Sequence, residues 1–323
     1  MNDAGSSMEG VSDGRGHHDY CFTLFIPTFN RADKLGETLE SVSHSTFRDF
    51  EALVIDDGST DRTEQILSEW KSQARFPLRY IRQENMGKTG AHNTALGHAR
   101  GFLFMTLDSG DLLLPDALQN LWDQYERIPA EARPGNAGVA ALCLKENGEL
   151  SGLPYAVDGA DATFLEMDRM RTFTGEKRLA VRTAVMRQFP YPRFPGEKHV
   201  RPDLIFKRMA HSFHLRFVNI PVQVNRREPD GITANIVQYR LENPRGFRLY
   251  FLEEITLHRE YYSLRKRFGD HWRYVRFSLH SGLGLLGQAR EVEERLLWLS
   301  GIPMGVGKWL ADLLRVRTGR KVH

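Results

Sequence analysis

The sequence predicts an α/β fold, a mostly parallel sheet flanked by helices, with a helical C-terminal extension. Two observations support this prediction. From Phe22 to about residue 144, short apolar runs alternate with segments of helical periodicity, which is the pattern of parallel strands joined by crossover helices. Three of the runs end in polar groups, and in such sheets the carboxyl ends of the strands form the ligand crevice.

The elements follow in order along the chain. Strands are predicted at residues 22–26, 52–55, 78–81, 102–107 and 139–144, and two extended pieces at 215–219 and 222–225 are expected to enlarge the sheet. Helices are predicted between the strands, where apolar side chains recur every three or four residues. Pro202 is expected to open a helix to about Ala210, and one long helix is predicted from about Pro244 to Arg267.

Length and composition suggest three regions. The 323 residues fit one large domain or a domain and a half. The predicted regions are a tail (1–19), an α/β domain (20–235) and a helical, basic extension (236–323). The tail is rich in Gly, Ser, Asp and His without an apolar run, so disorder rather than a signal peptide is expected. No stretch approaches the roughly 20 apolar residues of a transmembrane helix. The two cysteines lack metal-ligand spacing, which favours a reducing, cytoplasmic setting.

Acidic side chains follow two of the predicted strands. Asp56 and Asp57 come directly after the second strand, and Asp108 and Asp111 follow the fourth. A carboxylate in the first place is suited to accept hydrogen bonds from a base or a ribose hydroxyl. Two neighbouring carboxylates suit Mg²⁺ or Mn²⁺, because these cations prefer hard oxygen ligands.

Two further residues fit a ligand with a ring and a phosphate. Phe29 is placed to stack on a flat ring, and Lys88, at the start of a helix, is placed to neutralise a phosphate. Each feature alone has an ordinary structural explanation, since an Asp-Asp-Gly-Ser segment is usually a turn and a lone Phe is usually core. The hypothesis therefore depends on their order along one edge of the sheet.

Longer motifs join these residues into a recognisable set. They lie at 27–31, 46–51, 54–61, 85–87, 91–93 with 99–101, and 107–111 with Pro115. Together they resemble family 2 glycosyltransferases of the GT-A fold, closely from about Phe22 to Asp116 and more loosely to about Thr233. The resemblance implies an inverting enzyme with a nucleotide-sugar donor.

The resemblance also implies roles by position. Asp57 would hold the base, Asp56 would support its loop and Lys88 would contact the diphosphate. The whole implied donor-binding set is Pro27, Thr28, Phe29, Asn30, Asp56, Asp57, Lys88 and Asp108.

The resemblance makes Asp108 the first acid of the family's Asp-x-Asp element, near the ribose and a divalent metal. The last position of that element is Gly110 here, so a Mg²⁺ or Mn²⁺ ion would depend on Asp108 with Asp111, one residue later. This departure leaves a cation at Asp111, altered donor binding and a lost activity as open outcomes.

Inverting members of the family use one carboxylate as general base. It takes the proton of the acceptor hydroxyl while that oxygen attacks the anomeric carbon. In the family this acid begins a helix after a glycine-containing loop, and Asp203, directly after Pro202, fits that place. Glu197 is the rival candidate. The third alternative is that neither Asp203 nor Glu197 is the base. A negative charge at a helix N-terminus would explain Asp203 structurally.

The interpretation is an inverting glycosyltransferase that acts on a nucleotide sugar, a UDP-sugar in the first instance, and on a glycan or lipid-linked saccharide. Two alternatives stay open: a sugar nucleotidyltransferase, and a non-catalytic nucleotide- or glycan-binding homologue. Gly110 favours the second alternative. No nucleic-acid partner is expected, since the net charge is only +3.

The C-terminal segment is basic. Residues 264–323 hold 12 Lys and Arg against 5 Asp and Glu, interleaved with aromatic and aliphatic side chains. A basic amphipathic segment can lie on an anionic membrane, and the alternative is a helical cap with a solvated basic face. We expect a cytoplasmic protein, and peripheral contact with the inner membrane face through 264–323 is a hypothesis.

Overall fold

A computed structural model describes residues 18–170, 174–226 and 236–318. Of the tail predicted at 1–19, residues 1–17 therefore lie outside the described residues. The same holds for the 228–233 part of the family resemblance and for the predicted domain boundary at residue 235.

Nine strands lie within the described residues. They are β1 (Tyr20–Thr28), β2 (Phe50–Asp56), β3 (Leu78–Arg82), β4 (Gly101–Thr106), β5 (Leu112–Leu113), β6 (Asn136–Lys145), β7 (Ala160–Ala162), β8 (Lys177–Arg182) and β9 (His214–Asn225). The helices of the same ranges are α1 (Ala32–Ser43), α2 (Thr63–Gln73), α3 (Gly87–His98), α4 (Ala117–Glu126), α5 (Phe164–Arg169), α6 (Thr183–Met186), α7 (Asp203–Met209), α8 (Ile236–Glu242), α9 (Pro244–Thr256), α10 (Leu264–His280), α11 (Leu285–Glu291) and α12 (Arg295–Thr318).

The strands form one sheet in the order β3-β2-β1-β4-β8-β6-β9-β5, with β7 paired to β9. β1 pairs in parallel with β2 and β4, and β2 pairs in parallel with β3. β8 is antiparallel to both β4 and β6, whereas β6 and β9 are parallel. The predicted α/β class is confirmed, and the parallel half of the sheet is the half that carries the Asp56–Asp57 and Asp108 motifs.

The sheet is covered on both faces. Phe22, Leu24 and Ile26 of β1 belong to a core shared with α1 and α4. Phe25 points the other way and belongs to a second core, which contains side chains of α3, α7, α9 and α10. Burial on both faces explains why the central strands are nearly continuous apolar runs rather than alternating ones.

Two predictions about single elements were wrong. The helix predicted from Pro244 to Arg267 is two helices, because α9 ends at Thr256 and α10 begins at Leu264. Ser263 caps α10 by accepting a hydrogen bond from the Lys266 N–H, so a helix start lies inside the periodic stretch. The two extended pieces at 215–219 and 222–225 are one strand, β9, which continues through Pro221.

The C-terminal helices pack on the sheet rather than standing apart. Phe247 and Phe251 of α9 share a core with Phe217 of β9 and Leu204 of α7. α12 lies against α10, where Asp312 accepts two hydrogen bonds from Arg276 at 2.6 and 2.8 Å. A bilayer-spanning helix is not found among the residues that the structure describes.

Candidate functional site

The loops after β1 and β2 are joined by hydrogen bonds. The Asp57 N–H donates to the Thr28 carbonyl oxygen at 2.9 Å. The Asn30 N–H donates to Ser59 Oγ at 2.9 Å, and the Thr60 N–H donates to Asn30 Oδ1 at 2.7 Å. Asn30 has a φ of 51°, a conformation that Asn tolerates better than most residues. These bonds hold the two strand ends side by side.

Phe29 lies on the joined loops with 45% of its side chain exposed, so its ring is accessible to a ligand. Pro27 pairs with Ile55 within the sheet. It makes the backbone rigid but has no N–H group to donate a hydrogen bond. Asp56 is buried, and its Oδ1 accepts the Ser59 N–H at 2.9 Å. Arg82 Nε lies 3.7 Å from the other Asp56 oxygen. Asp56 thus supports the turn that carries Asp57.

Asp57 is buried and binds the chain itself. Its Oδ1 accepts hydrogen bonds from Gln83 Nε2 at 2.6 Å and from the Met86 N–H at 2.9 Å, and its Oδ2 accepts the Gly87 N–H at 2.7 Å. Two of these donors open α3, so the carboxylate caps that helix. A side chain at Gly87 would overlap the carbonyl oxygen of Lys198, which requires glycine there.

Lys88 follows at once and meets the second acidic motif. Its Nζ lies 2.5 Å from Asp108 Oδ1. Arg178 Nη2 lies 3.2 Å from Asp108 Oδ2 and 3.0 Å from Asp111 Oδ2, so one nitrogen bridges the two carboxylates. Burial disfavours an ionised Asp108, but the charges of Lys88 and Arg178 outweigh it and lower its pKa to about 2. Asp108 is therefore ionised at neutral pH.

Asp111 is more deeply buried than Asp108 and has more partners. Besides Arg178, its Oδ2 accepts hydrogen bonds from Gln223 Nε2 at 2.9 Å and Asn225 Nδ2 at 3.2 Å. Its Oδ1 accepts the Arg226 N–H at 3.0 Å. Burial, with the charge of Asp108, raises the pKa of Asp111 to about 6, although Arg178 lowers it.

The loop between the two acids is held by α1. Thr38 Oγ1 donates to the Asp111 carbonyl oxygen at 2.9 Å and accepts the Gly110 N–H at 2.8 Å. Gly110 has a φ of +111°, which residues with a Cβ rarely adopt. The loop therefore turns sharply at Gly110 and directs Asp111 toward β9.

The first candidate base, Asp203, begins α7 in a network of charges. Arg201 binds it with two parallel hydrogen bonds of 3.0 Å, and Tyr250 Oη donates to its Oδ2 at 2.9 Å. Lys207 Nζ lies 3.9 Å away. Burial raises the pKa of Asp203, but Arg201 and Lys207 reverse the effect and lower it. About a quarter of the side chain, 24%, stays exposed.

The second candidate base, Glu197, caps a helix. Its Oε1 accepts the Arg245 N–H and Nε–H at 2.9 Å each, and its Oε2 accepts the Gly246 N–H at 2.9 Å. These N–H groups belong to the first turn of α9, where a negative charge is favourable. Only 5% of the side chain is exposed, so Glu197 has less room for a ligand than Asp203 has.

The structure thus links most of the predicted residues along one edge. Hydrogen bonds and ion pairs, joined by short stretches of backbone, connect the Asn30 loop through Asp57 and Lys88 to Asp108 and Asp111. Asp203 touches none of the described members of this set. It is connected indirectly through Tyr191, whose Oη donates to the Pro202 carbonyl oxygen and whose N–H donates to Asn93 of α3.

A surface cleft of about 390 Å³ adjoins the start of α3. Its lining comes from the loop before α3 and from the loop before α7, and it consists of Asn85, Met86, Arg193, Phe194, Pro195, Gly196, Glu197 and Lys198. Basic side chains from the second loop thus stand across from the helix N-terminus that Asp57 caps.

Sequence reasoning missed the residues that surround Asp111. Arg178 lies on β8, a strand that was not predicted, and Gln223 and Asn225 lie at the end of β9. The segment 177–182 does contain a short apolar run at 179–181 that ends in the β-branched Val181, so a strand could have been found. Its position beside β4 could not, because an antiparallel insertion is set by contacts far apart in sequence.

The described residues contain no group of three or more His, Cys, Asp and Glu side chains arranged to hold a metal ion. An ion at the two acids would have to take its other ligands from backbone, from a bound molecule or from water.

The sheet order, the two helical layers and the polar strand ends define a GT-A-type fold. Residues 23–139 match the family described as Glycosyl transferase family 2. The resemblance to family 2 glycosyltransferases stated from the sequence is therefore confirmed for residues 23–139.

Three known proteins illustrate the similarity. Chondroitin synthase of Escherichia coli is 39% identical over 106 residues, which are 32% of this chain and 15% of that protein. The structure of S. aureus TarS 1-349 in complex with UDP-GlcNAc superposes with a TM-score of 0.57 at 18% identity, covering 88% of this chain and 80% of that one. Mannosyltransferase PcManGT from Pyrobaculum calidifontis, in complex with GDP-Man and Mn²⁺, gives 0.53 at 20% identity, covering 91% and 88%.

The sequence match and the structural matches cover different parts of the chain and support different conclusions. The sequence match covers about a third of this chain and less than a fifth of the curated relative's length. The two structural matches are so distant in sequence that they show the fold alone. They extend the GT-A-like fold over most of the chain, beyond the residues that the family match covers.

Proposed function

We propose that the chain transfers a sugar from a nucleotide-sugar donor to a saccharide acceptor. The observation that carries the proposal is the connected path from Asn30 to Asp111, because it puts an exposed ring, a capped helix N-terminus and two cations along one edge. A helix N-terminus and cations suit a diphosphate, and Phe29 suits a base. The two structures above are complexes with UDP-GlcNAc and GDP-Man, and the curated relative is named a chondroitin synthase.

In the proposed reaction the acceptor oxygen forms a bond to the anomeric carbon. The bond between that carbon and the β-phosphate oxygen breaks, the nucleoside diphosphate leaves with the electron pair, and the anomeric configuration inverts. Asp203 takes the acceptor proton. It is the better candidate than Glu197 because 24% of its side chain is exposed, against 5% for Glu197, whose oxygens cap α9.

The donor-binding roles inferred from the sequence are part of the proposal. Phe29 stacks on the base. Asp57 was expected to hold the base, but both of its oxygens accept hydrogen bonds from the chain itself, so we propose instead that it shapes the Gln83–Gly87 loop beside the base. Lys88 contacts the diphosphate. Within this set Pro27, Thr28 and Asn30 hold the β1 loop against the β2 loop.

The direct test is donor turnover by the full chain. We expect purified protein to bind UDP in calorimetry and to release UDP from a UDP-sugar when a saccharide acceptor is supplied. Panels of UDP- and GDP-sugars identify the donor. Pyrophosphate release from a nucleoside triphosphate and a sugar phosphate would instead show the nucleotidyltransferase alternative. Binding of nucleoside diphosphate without turnover of any donor would show the non-catalytic alternative.

We also propose that α12 brings the enzyme to a membrane that carries its acceptor. An exposed stripe on α12 recurs every three or four residues and consists of Leu296, Leu299, Pro303, Gly307, Leu310 and Leu314. The opposite face is buried: Asp312 binds Arg276 of α10, and Trp298 donates to Gln288 of α11. Exposed Arg295 and Lys308 lie beside the stripe. An apolar stripe with flanking bases suits an anionic lipid surface, and a lipid-linked acceptor would fit such a location.

Vesicle co-sedimentation tests the membrane proposal. Wild type should sediment with vesicles that contain an anionic lipid and much less with neutral vesicles, and Leu310→Glu should abolish the difference. Leu257→Glu is the matched control, since Leu257 is 55% exposed but lies outside α12, whereas Leu310 is 48% exposed. Equal sedimentation of wild type and Leu310→Glu would remove the proposal.

A further inference from the structure

We propose that Arg178, together with Lys88, supplies the positive charge that faces the donor diphosphate, so that donor binding needs no divalent cation. The inference rests on the proposed function, because it concerns the diphosphate of a nucleotide sugar. Three features carry it: the partners of Asp111, the backbone at Gly110 and the position of the Arg178 guanidinium. The competing hypothesis is the Mg²⁺ or Mn²⁺ ion expected at Asp108 and Asp111 from the sequence.

The partners of Asp111 do not fit a metal ligand. Four donors from the chain surround its carboxylate: Arg178 Nη2, Gln223 Nε2, Asn225 Nδ2 and the Arg226 N–H, at 2.9 to 3.2 Å. Only 8% of the side chain is exposed. A cation bound to Oδ2 would have to displace N–H donors that point at that oxygen, and each displaced donor would be left buried without an acceptor, which is unfavourable.

The backbone at Gly110 also does not suit the aspartate that the Asp-x-Asp element would place there. Its φ of +111° is a conformation that residues with a side chain rarely adopt. Thr38 holds this conformation through bonds to the Gly110 N–H and the Asp111 carbonyl oxygen. The backbone conformation of the loop therefore suits glycine at position 110, where the family's Asp-x-Asp element has its last Asp.

Arg178 stands where a bridging cation would be expected. A single nitrogen, Nη2, contacts Asp108 and Asp111, while Nε donates to Gln223 Oε1 at 2.6 Å. Its other terminal nitrogen, Nη1, makes no hydrogen bond to any described residue, and 11% of the side chain remains exposed. The guanidinium is thus fixed on one side and has donors left on the other.

Lys88 supplies the second charge. It lies on the first turn of α3 with 39% of its side chain exposed, and it contacts the same carboxylate, Asp108. Two preorganised cations and the helix N-terminus would stabilise the charge that grows on a departing diphosphate, which is the electrostatic task that a divalent ion performs elsewhere. Both cations are protein side chains here, so chelation should leave them in place.

Calorimetric titration of UDP into the full wild-type chain is the test, once in excess EDTA and once in MnCl₂. We expect the two dissociation constants to agree within about threefold, because each lost charged contact would change binding by about tenfold or more. With the protein and UDP together, electron paramagnetic resonance should show no Mn²⁺ bound beyond that held by free UDP. UDP binding that disappears in EDTA and returns with Mn²⁺ would overturn the inference.

Variants separate Arg178 from a general loss of stability. Arg178→Gln should weaken UDP binding in EDTA by about tenfold or more. Arg216→Gln is the matched control, since Arg216 is also 11% exposed in a strand and is paired with Asp161. Its UDP affinity should stay at the wild-type value. Unchanged binding by Arg178→Gln would contradict the inference.

Arg178→Lys, which keeps the charge, covers the case in which the Gln variant fails to fold. It should bind UDP more weakly than wild type but still without metal, and a metal requirement in this variant would also count against the inference. Failure of the proposed function looks different from all these outcomes, because no nucleoside diphosphate would then bind wild type in either buffer.

Discussion

Two pairs of acids in this molecule are held in different ways. Asp57 and Glu197 accept backbone N–H groups that open α3 and α9. Asp111 and Asp203 are bound mainly by side chains, among them Arg178 and Arg201. The division is one of emphasis, since Glu197 is also paired with Arg245 and Asp111 also accepts the Arg226 N–H. An acid bound to backbone fixes the position of a helix, whereas an acid bound to a cation also sets the local charge. The comparison suggests that the first pair builds the site and the second pair provides its electrostatics.

The largest expected effect is on transfer by Asp203→Asn. Loss of a general base slows transfer by about a hundredfold or more, while UDP affinity should stay within about twofold because no described residue of the donor path touches Asp203. Steady-state kinetics and UDP calorimetry measure the two quantities. Since Arg201 loses its charged partner, thermal unfolding is recorded in parallel. If the folded variant turned over the donor at the wild-type rate, a residue other than Asp203 would be the base.

The next largest expected effect is that of Asp57→Ala on stability and UDP binding. It leaves the Met86 and Gly87 N–H groups and Gln83 Nε2 without their acceptor, so the free energy of unfolding should fall by about 2–4 kcal/mol. UDP binding should weaken as the loop loses its shape. Urea denaturation and calorimetry check both effects. Asp57→Asn, which keeps one acceptor oxygen, should lie between Ala and wild type; an alanine variant as stable as wild type would refute the structural role.

Glu197→Gln tests whether Glu197 only caps α9, in contrast to Asp203, which is the proposed base. The amide keeps one acceptor for the first turn of α9 but loses the charge and the Arg245 ion pair, so stability should fall by about 1 kcal/mol. Turnover should change by less than about fivefold, because a capping residue takes no proton. A loss of turnover as large as that of Asp203→Asn would make Glu197 the base.

The smallest effect concerns a buried group with neither kind of partner. His92 of α3 packs edge-on against Phe25, Phe104 and Tyr191, and its Nδ1 makes no hydrogen bond. Burial, with the charge of Lys88, lowers its pKa to about 3. The unfolded chain therefore takes up a proton below about pH 6.5 that the folded chain does not. Stability contributed by neutral His92 is present above that pH and is lost as the pH falls toward 3.

Urea denaturation of wild type and His92→Phe at pH 7.5 and 5.5 checks this. The difference in unfolding free energy between the two proteins should shift in favour of the variant by about 1 kcal/mol at the lower pH. His98→Asn, an exposed change on the same helix, is the control and should show no such shift. An equal response of wild type and His92→Phe to pH would contradict the account.

The sequence allowed the local half of the site to be predicted and not the distant half. Residues 27–30, 56–57 and 85–88 follow strands whose order can be inferred from alternating patterns, and parallel strands bring their ends together. Arg178, Gln223 and Asn225 reach Asp111 only because β8 inserts antiparallel beside β4 and β9 pairs with β6. That pairing depends on long-range packing, which periodicity does not encode.

The same limit applies to the helices. α9 and α10 were predicted as one, because the apolar stripe continues past residue 256 while the Ser263 cap is a single-residue signal. The partners of the predicted acids were also hidden: nothing in the segment 197–203 indicates that Glu197 binds α9 and that Asp203 binds Arg201. Residue type identified the acids, and only the fold identified what holds them.

Hydrogen–deuterium exchange with and without UDP tests most directly whether the polar strand ends form the donor site. The account predicts slower exchange in peptides that cover residues 28–32, 56–60, 84–90 and 107–112, with no change in 264–300. Protection confined to the C-terminal helices, or no protection at a UDP concentration that saturates binding, would contradict it.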